Sequence, residues 1–491
     1  MVAWDWLADA DYWTSRLVFQ RLLAALYLVA FLSAANQFRA LLGEHGITPI
    51  PRFLRSVPFR RAPSVFHLHY SDRFFAVLAW TGVLVSGALL LGLADAAPVW
   101  LALLLWAVPW ALYLSIVNVG QVWYGYGWES LLVETGFLAI FLGPAHVAPP
   151  VLVLWLMRWL LFRVEFGAGL IKIRGDPCWR DLTCLYYHHE TQPIPGPLSW
   201  YFHHLPKPLH KVEVLASHLA QLVVPFALFA PQPIATAAAA IVIVTQAWLM
   251  LSGNFSWLNA VTIVLALSVV DDSVFAPLLP NPPGNLTDPP LWHLALVFAV
   301  VALVMVLSYQ PVRNLLSRRQ LMNYSFTSLR LVNTYGAFGS IGRTRHEVVI
   351  EGTRDTELTE DTAWREYEFK GKPGDPYRRP RQVAPYHLRL DWQLWFAALS
   401  AQQARGWLPG LAAKLLAGDR DTLKLVARDP FPGSSPRFLR ATLYRYRFTT
   451  WRERGESGAW WVREPVSPVL RTCRLAEDGD VVPAATGSQE T

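Results

Sequence analysis

The chain has 491 residues, of which 53% are hydrophobic and 16% charged, with 23 tryptophans and a formal net charge of +7. That composition is unlike an average soluble protein and points to an integral membrane protein. The basic excess does not call for nucleic acid: the arginines lie among acids or flank apolar segments, where anionic lipid headgroups are the simpler partner.

Residues 1–15 carry Asp5, Asp9 and Asp11 and no basic residue, so no cleavable signal peptide is expected and the first span is retained. Apolar windows follow at residues 16–38, 73–94, 99–119, 130–143, 151–173, 212–230, 233–251, 258–270 and 291–309. Most approach the roughly 20 residues that a bilayer core requires, which predicts a polytopic α-helical bundle of eight or nine spans over residues 12–310. The windows at 130–143 and 258–270 are short enough to be half-spanning or enclosed by the bundle. Arg39, Arg52, Arg55, Arg60 and Arg61 crowd the first loop, whereas 271–290 has no Lys or Arg. With nine spans, the positive-inside rule puts the N-terminus outside and the C-terminal domain in the cytoplasm.

Pro311 is expected to end the bundle, and no later window is long enough to span. Residues 311–475 read as a soluble α+β or β-rich, sandwich-like domain. Strands are expected at 329–334, 346–352, 364–370, 440–449 and 460–463. Helices are expected at 392–399, 408–417 and 419–427, the last with Asp419 or Asp421 near its start. The tail, 476–491, has the composition of a disordered segment.

Within the fifth window Arg158, Glu165 and Lys172 stand seven residues apart, which puts them on one helix face at about 10 Å per step. Ionised groups in hydrocarbon need partners or water, so this stripe should face the bundle interior, with Glu134 as a candidate partner. It reads either as an ion-pair network that orients helices or as a substrate site in which Lys172 acts as base beside Glu165. A dense polar loop follows, with Arg174, Asp176, Cys178, Trp179, Arg180, Asp181, Cys184, His188, His189 and Glu190. Cys178 and Cys184 fit neither a redox pair nor a usual zinc pair; a local disulfide and two buried thiols are the alternatives, with Cys473 left over. His188, His189, His203, His204 and His210 lack a fixed zinc-site spacing, so no metal site is expected. Asn254 heads a glycosylation sequon that reads equally as a polar helix-end turn.

In the C-terminal half, Trp364, Phe369, Lys370 and Asp375, then Arg389, Asp391, Trp392 and Trp395, place aromatic rings beside charges. These are residue types common at recognition surfaces and equally at home on a packed strand face. The chain has no P-loop, G-x-G-x-x-G, G-x-S-x-G or H-E-x-x-H.

Long composite segments resemble the lipase maturation factor family: IKIRGDPCWRDLTC, then HHETQPIPGPLSWYFHHLP, LMLSGNFSWLN, LVNTYGAFGSIGRTRHEVVIEG (which includes Tyr335), WREYEFKGKPGDPYRRP and PYHLRLDWQLWFAAL. The likeness covers residues 12–465. It implies a polytopic protein of the endoplasmic reticulum membrane that helps secreted dimeric lipases reach an active state, with the C-terminal region in the lumen. The Arg- and Ala-rich composition reads as GC-rich coding and would move the protein to a bacterial plasma membrane. More distantly, Ala168-Gly169-Leu170-Ile171-Lys172 with Trp179 downstream resembles the vitamin K-dependent carboxylase group, in which the matching lysine deprotonates a quinol.

The leading expectation is a non-enzymatic maturation factor without a cofactor. Its partners are membrane lipids and an exported client, a secreted lipase by the resemblance, contacted by the polar loop and the C-terminal domain. The alternative is a membrane enzyme acting on a lipid-soluble substrate. A transporter would need paired broken helices in the two halves of the bundle, and no such symmetry is visible.

Overall fold

The computed structural model describes residues 7–279 and 282–484. The helices of the N-terminal half are α1 (Trp13–Leu41), α2 (Ile50–Ser56), α3 (Asp72–Leu90), α4 (Val99–Val119), α5 (Gly127–Ala139) and α6 (Val151–Arg174). The polar loop that follows folds into three short helices, α7 (Pro177–Arg180), α8 (Leu185–Thr191) and α9 (Ser199–His203). Beyond it come α10 (Lys207–Leu222), α11 (Val224–Ala227), α12 (Ile234–Ser252), α13 (Leu258–Leu267) and α14 (Leu291–Leu316).

Among the described residues five helices are long and apolar enough to cross a membrane: α1 with the turn before it, α3, α4, α12 and α14. Their outer faces carry exposed apolar residues such as Val77, Leu84, Leu104, Val244 and Met305, as lipid-facing surfaces do. The other four windows behave differently, and eight or nine spans do not emerge. Helices α5 and α13, with 13 and 10 residues, are too short to span, and α5 is enclosed along almost its whole length. The window at 212–230 is divided between α10 and α11 at Val223, just ahead of Pro225. Helix α6 is 24 residues long but carries Arg158, Arg163, Glu165, Lys172 and Arg174. A second correction concerns Pro311, which does not end the bundle but lies buried inside α14.

Loops of the bundle are pinned by side chains from distant positions. Arg16, fully buried on α1, donates from Nη1 to the carbonyl of Val147 at 2.6 Å and from Nη2 to that of Ala145 at 3.2 Å. Gln20 donates to Gly143 at 3.2 Å. These carbonyls lie in the connection between α5 and α6, so donors from α1 fix that connection.

The C-terminal half contains β1 (Arg345–Thr353), β2 (Arg365–Glu366), β3 (Glu368–Phe369), α15 (Arg389–Leu399), α16 (Ala401–Ala404) and α17 (Leu408–Leu416). It continues with α18 (Arg420–Leu423), β4 (Val426–Arg428), β5 (Phe438–Phe448), α19 (Trp451–Ser457), β6 (Trp461–Leu475) and β7 (Val481–Pro483). An antiparallel sheet runs in the order β2-β1-β5-β6-β7, and β3 pairs with β4 in a separate ribbon. Pro465 and Pro468 sit within β6, where they oppose Tyr444 and Thr442 beside register shifts; bulges accommodate residues that cannot donate to a ladder.

Three expectations for this half are corrected. No strand forms at 329–334, because Arg330 and Val332 adopt positive φ and the Asn333 N–H is taken by a bundle carboxylate, that of Glu134. The helix expected at 419–427 is the single turn α18, capped by Asp419, after which the chain joins β4. The tail, read as disordered from Ala476, instead pairs β7 with β6; residues 485–491 lie outside the described residues.

One continuous apolar core joins α1, α4 and α5 to α15, α17, β1 and β5. The C-terminal half is therefore packed into the bundle rather than tethered to it.

Candidate functional site

The stripe on α6 is buried at all three positions. Arg158 donates to the Leu228 carbonyl at 3.2 Å and to the Tyr12 hydroxyl at 2.9 Å. Glu165 accepts from Gln246 Nε2 at 2.6 Å, and Gln246 in turn accepts from Asn259 at 2.6 Å. Lys172 Nζ donates to Gln221 Oε1 at 2.8 Å and lies 4.9 Å from the centre of the Trp179 ring. The stripe thus meets two neutral amides, a hydroxyl, one carbonyl and an indole ring. Glu134 does not pair with it: its partner is Arg163, an α6 residue the sequence reading passed over. Glu134 also accepts from the Asn333 backbone at 3.0 Å, the Asn333 side chain at 2.8 Å and the Tyr335 hydroxyl at 2.8 Å.

The polar loop was expected to be open to a client, and most of it is packed. Cys178 and Cys184 are bridged, and they cluster with Trp179, Leu185, Val214 and Ile341. Closing so short a loop restricts the unfolded chain by about 2 kcal/mol in the entropy model. Asp176 receives Arg343 at 2.8 Å, and this guanidinium, together with two backbone N–H groups, holds its carboxyl below the usual range. Trp179 Nε1 donates to the Phe338 carbonyl at 2.7 Å, Arg174 to Gln320 at 3.1 Å, and the Phe448 N–H to Glu190 at 2.8 Å. His188 and His189 are buried. Of the predicted loop residues only Arg180 and Asp181 are exposed; the rest are covered by α9 and α10 on one side and by the C-terminal half on the other.

Most of the recognition candidates take the packed alternative. Tyr335, Phe369, Arg389, Asp391 and Trp392 are all buried. Arg389 forms an ion pair with Glu129 of α5 at 2.6 Å and donates to the Trp123 carbonyl at 2.6 Å, with its guanidinium carbon 3.4 Å from the Tyr124 ring centre. Asp391 accepts the N–H groups of Gly371 at 2.6 Å and Lys372 at 3.0 Å, fixing that turn. Trp395 donates to the Thr191 carbonyl at 3.2 Å, and Trp364, half-buried, stacks under Arg440 at 4.1 Å. Asp375 receives the Tyr377 N–H at 2.9 Å. Lys370 is exposed and, with Asn36, Gln37, Tyr386, Asp391 and Lys424, lines a cavity of about 260 Å³ at the junction. Asn254 is 1% exposed; its amide donates to the carbonyls of Pro195 and Arg381 and accepts from the N–H groups of Val383 and Ala384, the pattern of the polar helix-end turn.

The ionic residues the sequence reading missed lie at the same junction. Glu347 pairs with Arg345 and, at 2.9 Å, with Lys372, all three inaccessible to solvent. His387 approaches Glu129 at 3.2 Å. Glu129 stands five positions before Glu134, one residue ahead of the apolar window 130–143, the one signal that was available.

Burial, and after it Arg389, pushes His387 down to about 4 despite the Glu129 carboxylate. Below a pH of about 6.5 the unfolded histidine takes up a proton that the folded one refuses until about 4. Stability is therefore expected to fall as pH drops through that interval. Thermal unfolding in detergent at stepped pH checks this, and His387→Gln should flatten the profile.

Fold and site together define a class: an integral membrane protein whose helical bundle and α+β C-terminal half are locked through buried ion pairs and a disulfide-closed loop. Residues 14–277 match a family model described as the lipase maturation factor transmembrane domain, and residues 331–470 match the lipase maturation factor C-terminal domain. The chain belongs to the lipase maturation factor family. It is 42% identical to lipase maturation factor 1 of Bos taurus over 94% of this chain and 89% of the relative. For lipase maturation factor 1 of Homo sapiens the identity is 42%, over 96% of this chain and 90% of the relative. Lipase maturation factor 2 of Homo sapiens is 30% identical over 94% of this chain and 83% of the relative. No solved structure matches. These relatives give no support to the carboxylase-like enzyme alternative or to a bacterial plasma membrane.

Proposed function

We propose that the protein is a non-catalytic maturation factor of the endoplasmic reticulum membrane that helps secreted lipases reach their folded, active state. The observation that carries this reading is 42% identity, over nearly the whole chain, to proteins named for lipase maturation. The Cys178–Cys184 bridge supports a lumenal C-terminal half: disulfides persist in oxidising compartments, and this one packs against Ile341. The partners of Lys172 favour a non-catalytic role. A base poised for chemistry is expected to face a substrate, whereas this amine is held between an amide oxygen and an indole ring.

The test is expression of the full chain in cells whose own lipase maturation factor has been removed, alongside a secreted dimeric lipase. Secreted lipase activity per unit of lipase protein should rise from near background toward that of unmodified cells. An unchanged specific activity, with the chain present in the endoplasmic reticulum membrane, would sink the proposal.

A further inference from the structure

Three donors from two separate helices meet beside the polar loop. His210 and Glu213 are three positions apart on α10 and so share a face, and His189 reaches them from α8; one ligand atom from each lies within 4.8 Å of the other two. His189 is 1% exposed, and neither of its ring nitrogens has a hydrogen-bond partner. His210 is 2% exposed; its Nε2 faces the His203 carbonyl at 3.4 Å and its Nδ1 has no partner. Buried polar atoms are rarely left bare, and an imidazole always brings at least one group that needs a partner. Two neighbouring histidines in this condition mark a site shaped for something else.

We propose that His189, His210 and Glu213 bind a divalent cation of the zinc class. Two imidazoles and a carboxylate suit zinc, whereas calcium and magnesium prefer all-oxygen sets. The supporting contacts are of the kind that orient metal ligands. Trp248 Nε1 donates to Glu213 Oε1 at 2.7 Å and leaves the second carboxylate oxygen free, and the His203 carbonyl faces Nε2 of His210, leaving Nδ1 open. Phe202 and Tyr186, with ring centres 5.6 Å from His189 and 5.8 Å from His210, wall the site with aromatic surface. Zinc–nitrogen bonds of about 2.0–2.1 Å set tetrahedral donors roughly 3.3–3.5 Å apart. Separations of up to 4.8 Å therefore need to close by at most about 1.5 Å, a movement within reach of the half-buried Glu213 side chain. Three protein ligands leave a fourth position for water or another donor. The sequence spacing pointed away from a metal because α8 and α10 are joined through α9, so the ligands follow no short motif.

The experiment uses the full-length protein in detergent, stripped with a chelator, reloaded with Zn²⁺ alone, desalted and assayed for metal per chain, with Co²⁺ absorption reporting tetrahedral coordination. One Zn²⁺ per chain is expected, lost in His189→Ala and bound about tenfold or more weakly in Glu213→Gln. His204→Ala is the control and should retain the metal, because that ring engages the Trp200 carbonyl outside the cluster. A wild-type ratio near zero overturns the proposal. So does equal affinity in Glu213→Gln, the near-isosteric change that decides the matter if His189→Ala fails to fold.

Discussion

Replacing Glu129 by alanine is expected to destabilise the protein by about 3–5 kcal/mol, the usual consequence of removing one partner of a buried ion pair. Glu129 and Arg389 are both fully inaccessible, and the same carboxylate serves His387 at 3.2 Å and the Tyr113 hydroxyl. Truncation leaves a guanidinium in an apolar setting among Tyr124 and Trp257, with water unable to replace the lost charge. Arg389 belongs to the C-terminal half and Glu129 to the bundle, so the loss should loosen the junction first. A denaturant midpoint in detergent measures the effect. Glu129→Leu combined with Arg389→Met should recover much of it, because an apolar pair removes both charges together. A midpoint unchanged in Glu129→Ala would refute this account of how the halves are joined.

Glu134→Ala should be comparably damaging, at about 3–5 kcal/mol, for a related reason. Its carboxylate is the common acceptor for Arg163, the backbone and side chain of Asn333 and the Tyr335 hydroxyl, and all these residues are buried. Because Asn333 and Tyr335 lie on the irregular segment after α14, the expected local consequence is release of that segment. Limited proteolysis around residues 325–340 should show faster cleavage in Glu134→Ala than in Glu134→Gln, which keeps one acceptor oxygen. Equal cleavage of both variants and wild type would place the support for this segment elsewhere.

The two acids show how far the sequence could be read. Glu134 was legible as a charge that needs a partner, since a carboxylate in an apolar window is costly unless paired. The choice of partner was not legible. Helical spacing puts Arg158, Glu165 and Lys172 on one face, but it is the packing of α5 and the segment after α14 that turns Arg163 toward Glu134. Likewise, Trp392, Arg389 and Asp391 stand out as recognition candidates, while a surface and a core use the same aromatic and charged types. Burial decided between the two, and burial depends on which face the bundle covers.

Composition and hydrophobic periodicity by themselves determined that the chain enters a membrane, that a mixed helix and strand region follows, and where strands β1 and β5 run. These follow from local energetics: apolar length against bilayer thickness, and alternation against a half-buried sheet. Only the tertiary structure decided which apolar windows form helices long enough to span, that the polar loop is packed between α10 and the C-terminal half, and that His189 meets His210 and Glu213. Each of those depends on contacts between residues distant along the chain. Their pairing is selected by the cost of leaving buried charges and polar groups unsatisfied, a cost that no single segment carries by itself.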